Sequence, residues 1–284
     1  RENPAADVPQ WRTDGKLHGP SDHDVPVLAV RDADQNLTAV LFGYACHATT
    51  LSGYQWSGDY PGYAQMDLEE EHPDCVALFF AGCGADQNPL PRGTVEMARH
   101  YGEQLATAVD SVLLTTQMHP VEGTLRTSYA EIDLPLDTLP TREKIELNSK
   151  SDNRYEVARA SMLLEQIDDG VPLSQSYPYP VSAWSIGDDL KFVTLGGEVV
   201  VDYAIRLKSE LAGTQTWVSG YANDVMAYIP SRRVLSEGGY EGGGAMVYYG
   251  LPTVWSPEIE NNIAHEVHRQ VDFVSAQQAS TKAR

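Results

Sequence analysis

Basic residues are scarce in this chain: 20 Lys and Arg stand against 40 Asp and Glu, giving a formal net charge of −20 and a pI near 4.6. Binding to a phosphate backbone depends on clustered Lys and Arg displacing counterions, so the balance argues against nucleic acid and against a polybasic membrane contact. Long apolar runs are missing as well. No stretch reaches the ~18 residues of a bilayer-spanning helix, the longest candidates being short segments such as Cys75 to Ala81. Cysteine is limited to Cys46, Cys75 and Cys83 with no Cys-x-x-Cys pair, which excludes a disulfide framework and leaves the redox compartment open. Arg1 to Asp7 contain no Met, charged n-region or apolar h-region, so no signal peptide is read there, and the chain reads as one that starts inside a longer precursor.

Several catalytic signatures are also absent. There is no Gly-x-Ser-x-Gly elbow, since Ser57 follows Gln55 and Trp56, and neither a P-loop nor a Gly-x-Gly-x-x-Gly after a strand. His265-Glu266-Val267-His268 spaces its histidines three apart where a zincin helix needs four, so these read as polar positions on a surface helix. The acidic run Asp67 to Glu71, beside His72, reads as a solvated helix face.

What is present is a chain of 284 residues, 42% apolar, long enough to bury roughly 70–75% of its unfolded surface. Val25–Arg31 and Leu37–Ala45 are apolar runs separated by the turn-forming Asp32 to Asn36, which predicts a β-hairpin. Tyr60–His72 suits a helix, and Val76–Phe80 a buried strand ending at Gly82-Cys83-Gly84. Thr94–Thr116 carries apolar residues on one helical face, Gly123–Leu134 alternates as a strand, and Thr141–Gln166 reads as one long polar helix. A strand pair over Ala183–Leu195, a helix over Glu198–Leu211, a strand over Thr216–Ala222 and an amphipathic helix over Glu258–Ser275 complete the pattern. Alternating strands and helices without repeats predict an α/β, mixed α+β fold, with a mixed sheet flanked by helices in a single catalytic-type domain. Residues 1–24 are expected to be an extended segment and 276–284 a disordered tail.

Chemistry is suggested first by His47, which emerges at a strand end among small residues, in Phe42-Gly43-Tyr44-Ala45-Cys46-His47-Ala48. Further along, Asp59 in Ser57-Gly58-Asp59-Tyr60-Pro61-Gly62-Tyr63-Ala64 is placed to cap a helix or to orient an imidazole. On residue types alone a histidine of this kind is more often a core residue than a ligand, and Asp59 shifts that balance only modestly.

Four blocks in order change that weighing. His47 followed by Ser-Gly-Asp-x-x-Gly-Tyr-Ala resembles the central motif of the neutral, non-lysosomal ceramidases, zinc-dependent amidases that cleave the N-acyl bond of ceramide. Gly196-Gly197-Glu198 is similar to that family's Gly-Glu turn, Asn223 to Tyr228-Ile229 to its Asn-x-x-x-x-Tyr-Ile segment, and Tyr240-Glu241-Gly242 to its Tyr-Glu-Gly. The resemblance implies His47, Glu198 and Tyr228 as zinc ligands, Tyr240 as the catalytic group at the substrate amide and Asp59 as support behind the ligands. It implies Zn2+ as cofactor, a small-molecule or lipid N-acyl substrate and a secreted or periplasmic location. The donor types agree with zinc chemistry, which takes His nitrogen and carboxylate or phenolate oxygen at about 2.0–2.2 Å and keeps one position open for water.

The departures are equally specific. No His-x-His occurs anywhere, although the family has a second zinc histidine upstream, so the N-terminal portion of the catalytic domain is expected to lie outside this chain, and Arg1-Glu2-Asn3-Pro4 reads as the remnant of the family's Asn-Arg segment. That missing segment is itself an implied partner. Asn88, in Asp86-Gln87-Asn88-Pro89, stands where the family's ceramide hydrolases have serine; it can bind substrate but offers no hydroxyl, which points to an N-acyl compound other than ceramide. Two rival readings stand beside this one. Cys83 or Cys46 could serve a thiol-dependent hydrolase, although Cys46 and His47 are adjacent on a strand and point to opposite faces. A catalytically incomplete metal- or ligand-binding module is the other.

Overall fold

In the computed structural model all residues are described except Pro4, 116–117, Thr214 and 283–284, together with the side chains of 278–282. The architecture is mixed α/β, with mixed sheets flanked by helices and, among the described residues, no closed barrel. The chain divides into two compact units, Arg1–Val121 and Glu122–Arg284.

The first unit opens with helix α1 (Val8–Asp14) inside the stretch expected to be extended. Its limits are encoded locally: a proline sits in its first turn, and Gly15 closes it in the left-handed region at φ 66°. The predicted hairpin is present as β1 (Val27–Arg31) and β2 (Leu37–Tyr44), antiparallel, its turn fixed by Asp32 Oδ1 accepting from the amides of Asp34 and Asn36 at 2.9 and 2.8 Å. Helix α2 (Asp59–Glu71) then crosses over to β3 (Val76–Ala81), which pairs parallel with β2 to give the order β1-β2-β3. Two side chains of α2 one turn apart take the backbone of β3: Gln65 Nε2 donates to the Ala77 carbonyl at 2.7 Å, and the Ala77 amide donates to Glu69 Oε1 at 3.0 Å. Helix α3 (Val95–Leu113) is capped by Thr94, whose hydroxyl accepts from the Met97 amide; Thr116, the predicted end, lies outside the described residues. Val40 and Phe42 on one face of β2 meet Tyr60, Ala64 and Leu68 of α2 and Leu105 and Val109 of α3 in a closed core. Gly102 lets the two helices touch, because a Cβ there would lie 2.5 Å from Tyr63 Cβ.

The second unit holds β4 (Leu125–Pro135), β5 (Ser176–Ile186) and β6 (Leu190–Leu195) in antiparallel succession, with β8 (Gln215–Ser219) parallel to β6. The long polar helix is two helices, α4 (Arg142–Asn148) and α5 (Arg154–Asp168), broken at Ser149–Asn153, where Asn153 accepts from the Tyr155 amide and caps the second. Glu198 begins no helix: it lies in β7 (Glu198–Val199), and α6 (Val201–Glu210) starts three residues later. β7 pairs parallel with β9 (Tyr228–Ile229), after which come α7 (Arg232–Glu237), a π-helical turn over Tyr240–Gly244, and α8 (Met246–Tyr249). The last helix, α9 (Ile259–Lys282), packs on β4 and β5 and remains helical where 276–284 was expected to be disordered; 283–284 lie outside the described residues. On it His268 Nε2 pairs with Glu210 at 2.7 Å and Glu266 with Arg269 at 2.6 Å, so the zincin-like sequence serves helix packing.

Candidate functional site

In the second unit, Glu198 and Tyr228 are directly paired residues of β7 and β9. The register is enforced by backbone bonds on both sides: Gly197 N donates to Asp224 O and Glu198 N to Ala227 O, both at 2.8 Å, while the Trp255 indole donates to Tyr228 O at 2.8 Å. Gly197 has φ 72°, and a Cβ on it would stand 2.6 Å from Ile229 Cγ1, so the turn into β7 admits glycine alone. The loop leading to β9 holds two non-glycine residues in the left-handed region, Tyr221 at φ 58° and Asn223 at φ 68°. Such strain is held only where surrounding contacts over-determine it, and it gathers at binding sites.

Three phenols converge on the Glu198 carboxylate. Tyr249 donates to Oε1, Tyr221 reaches Oε2 at 3.4 Å, and the Tyr228 hydroxyl also hydrogen-bonds this carboxylate. Tyr240 packs edge-on against Tyr228 with ring centroids 5.3 Å apart, and Tyr248 follows at 6.1 Å from Tyr240. Burial, then the charge of Glu198, holds the Tyr228 phenol well above its ordinary range; burial and the bond to Glu198 do the same for Tyr249. Tyr240 is raised by burial and by its neighbours Tyr248 and Glu198, although half of it faces solvent. At neutral pH Tyr228, Tyr249 and Tyr240 therefore keep their protons.

In the first unit, His47 follows the end of β2. Its amide donates to Gln87 O at 2.9 Å and its Nε2 meets the Ala85 carbonyl at 2.8 Å. A carbonyl only accepts, so Nε2 is the donor of this bond. Asp59 is buried, with φ 52°, and its two oxygens accept from the amides of Leu51 and Tyr60, both at 2.8 Å. It thus fastens the segment after His47 through backbone amides. Asn88 is exposed, and its Oδ1 accepts from Arg92 Nη1 at 3.2 Å. The thiols are poorly suited to nucleophilic work: burial and Asp59 push Cys46 up to about 12, and Cys83 is fully buried.

The structure brings together Glu198, Tyr228 and Tyr240 in the second unit and adds Tyr221 and Tyr249, which no sequence motif singles out; His47, Asp59 and Asn88 lie in the first unit. Among the described residues no group of three or more His, Cys, Asp or Glu is placed to hold a metal ion. Glu198 and Tyr228, two of the residues implied for zinc, are register partners and carry oxygen donors of the kind zinc takes. As a ligand Tyr228 would surrender its proton, as metal binding to protein donors commonly requires.

Fold and cluster define a mixed α/β protein with a carboxylate–phenol site on a short parallel strand pair. No protein-family sequence model matches the chain, and comparison with curated proteins finds no match. Among solved structures the chain is similar to the neutral ceramidase from Pseudomonas aeruginosa, at 20% identity and TM-score 0.61, over 90% of this chain and 46% of that one. It is also similar to a ceramidase complexed with C2, at 16% identity and TM-score 0.61, over 85% of this chain and 46% of that one. The likeness is one of fold, which is ceramidase-like, and the chain spans about half the length of these ceramidases.

Proposed function

We propose that the protein is a zinc-dependent hydrolase of an amide bond, removing the acyl group from an N-acyl compound. The observation that carries this reading is the direct pairing of Glu198 with Tyr228, with Tyr240 edge-on to Tyr228, since these are the residues that the sequence resemblance assigns to metal and substrate. Glu198 and Tyr228 would hold the ion, with His47 as the further ligand that the resemblance names. Zinc, when bound, supplies Lewis acidity toward a carbonyl oxygen and an acidified water at neutral pH.

The chain's own groups do the remaining work. Tyr240 keeps its proton and is half exposed, which suits it to donate a hydrogen bond to the amide oxygen as negative charge builds there. Tyr249 and Tyr221 grip separate oxygens of Glu198 and fix the plane of that carboxylate. Asn88 has its carbonyl oxygen engaged by Arg92, so its NH2 group is the part suited to a substrate acceptor; without a hydroxyl it cannot attack, which favours an N-acyl substrate other than ceramide.

The test is zinc titration against a chromophoric chelator, combined with amine release from a panel of N-acyl amines. The parent should bind zinc, and Glu198→Gln, Tyr228→Phe and His47→Ala should each weaken binding at least about tenfold. Zinc affinity untouched by all three, or amine release that survives chelation, would overturn the reading.

A further inference from the structure

Between His47 and Asp59 the first unit sends out a loop whose composition is unusual for this protein. From Ala48 to Gly58 no residue carries a charge, in a chain that is 21% charged. At its tip Tyr54 and Trp56 are fully exposed, and Ser52, Gly53, Gln55 and Ser57 around them are exposed too. The foot of the loop is held firmly. The Leu51 amide donates to Asp59 Oδ2 at 2.8 Å, the Asp59 amide to Ser57 Oγ at 3.0 Å, the Gly93 amide to Thr50 O at 2.8 Å, and Arg92 Nη1 to Thr49 Oγ1 at 3.3 Å.

Two large rings standing in water are unfavourable, and a built foot that keeps them there marks a contact surface. Tryptophan and tyrosine settle at lipid–water boundaries, with the ring among the upper acyl carbons and the N–H or O–H toward the headgroups. An uncharged tip enters that boundary without stripping water from an ion. Arg92, bonded to Thr49 at the foot, supplies a cation beside this uncharged stretch. The net charge of −20 selects the kind of surface: an anionic membrane repels this protein and a zwitterionic one does not.

We propose that the loop of residues 48–58 seats the protein on a zwitterionic phospholipid surface, with Tyr54 and Trp56 in the interface and Arg92 toward the headgroup phosphates. His47 stands at the foot of this loop, so the contact brings that part of the first unit to lipid-borne substrate. Attachment is independent of the amidase reading and is measured without turnover.

The experiment is co-sedimentation of the full chain with phosphatidylcholine vesicles, together with quenching of tryptophan emission by brominated phosphatidylcholine. The parent should bind and be quenched, and Tyr54→Ala/Trp56→Ala should lower the partition coefficient at least about tenfold with an unchanged circular dichroism spectrum. If that double variant loses its fold, Trp56→Asp at the same exposed tip carries the comparison. The proposal is overturned by a parent that does not bind these vesicles, by variants that bind equally well, or by binding confined to anionic vesicles at low salt. It is also overturned if the parent self-associates in sedimentation equilibrium and the double variant does not, which would assign the tip to a second copy. Loss of amide hydrolysis with vesicle binding intact would count against the catalytic reading alone.

Discussion

Glu198 and Tyr228 face each other across a parallel strand pair that is two residues long on each side. Paired residues of adjacent strands share a face, so this register alone sets the carboxylate beside the phenol. The remaining hydroxyls reach the same carboxylate from Tyr221, at the end of a strained loop, and from Tyr249, at the end of α8.

The bond from Tyr249 to Glu198 is charge-assisted, and such bonds contribute about 1.5–3 kcal/mol. Tyr249→Phe should therefore lower the melting temperature of the metal-free protein by several degrees in calorimetry, at roughly 2–4 °C per kcal/mol for a chain of this size. Glu198→Ala should cost more, because three phenols lose their shared acceptor. Equal stability of Tyr249→Phe and the parent would show that water replaces the bond without loss.

Asp59 has a backbone task that hydrogen exchange can read directly. Asp59→Ala removes the acceptor of both Leu51 N–H and Tyr60 N–H at a buried position and should cost about 2–4 kcal/mol. The Leu51 amide should lose its protection well before the amides of β2 do. Unchanged protection at Leu51 would mean that the loop is held by other bonds.

Gly102 gives a prediction whose sign is the test. In an open helix a glycine-to-alanine change stabilises by up to about 1 kcal/mol. Here the added methyl would lie 2.5 Å from Tyr63 Cβ and 2.9 Å from both Tyr60 O and Ala64 N, so Gly102→Ala should destabilise by about 1–3 kcal/mol as α2 and α3 separate. A higher urea midpoint for the variant would contradict the close approach.

Tyr177 supplies an alkaline signature. Its hydroxyl donates to Asp224 Oδ2 at 2.7 Å, and this bond, with burial, pushes the phenol up to about 12. The folded value exceeds the ordinary ~10, so the stability it contributes is complete below about pH 10 and disappears as pH rises through about 12. Over that window the urea midpoint of the parent should fall more steeply than that of Tyr177→Phe, and the two curves should converge. Parallel curves would show that the bond is not linked to the proton.

Local signals foretold much of this chain. The Asp32–Asn36 cluster marked the hairpin because Asp32 bonds its own turn, and the one-sided apolar spacing of α3 marked the longest helix of the first unit. Other local signals are as short as a single turn: the proline and Gly15 that bound α1, and Ser149 to Asn153, which split the polar stretch into α4 and α5. The site itself was legible only through ordered motifs. Nothing periodic connects Glu198 with Tyr221 or Tyr249, which lie in a loop and at the end of α8, 23 and 51 positions away.

The grip of Gln65 and Glu69 on Ala77 bears on how this protein behaves at high concentration. β3 is an outer strand, and outer strands offer their amides and carbonyls to strands of other molecules. Here the helix that precedes the strand has taken one amide and one carbonyl near its start with side chains of its own. A foreign strand docking along β3 would have to displace both before it could zip, so the sheet carries its guard against fibre-like growth in the helix that builds it.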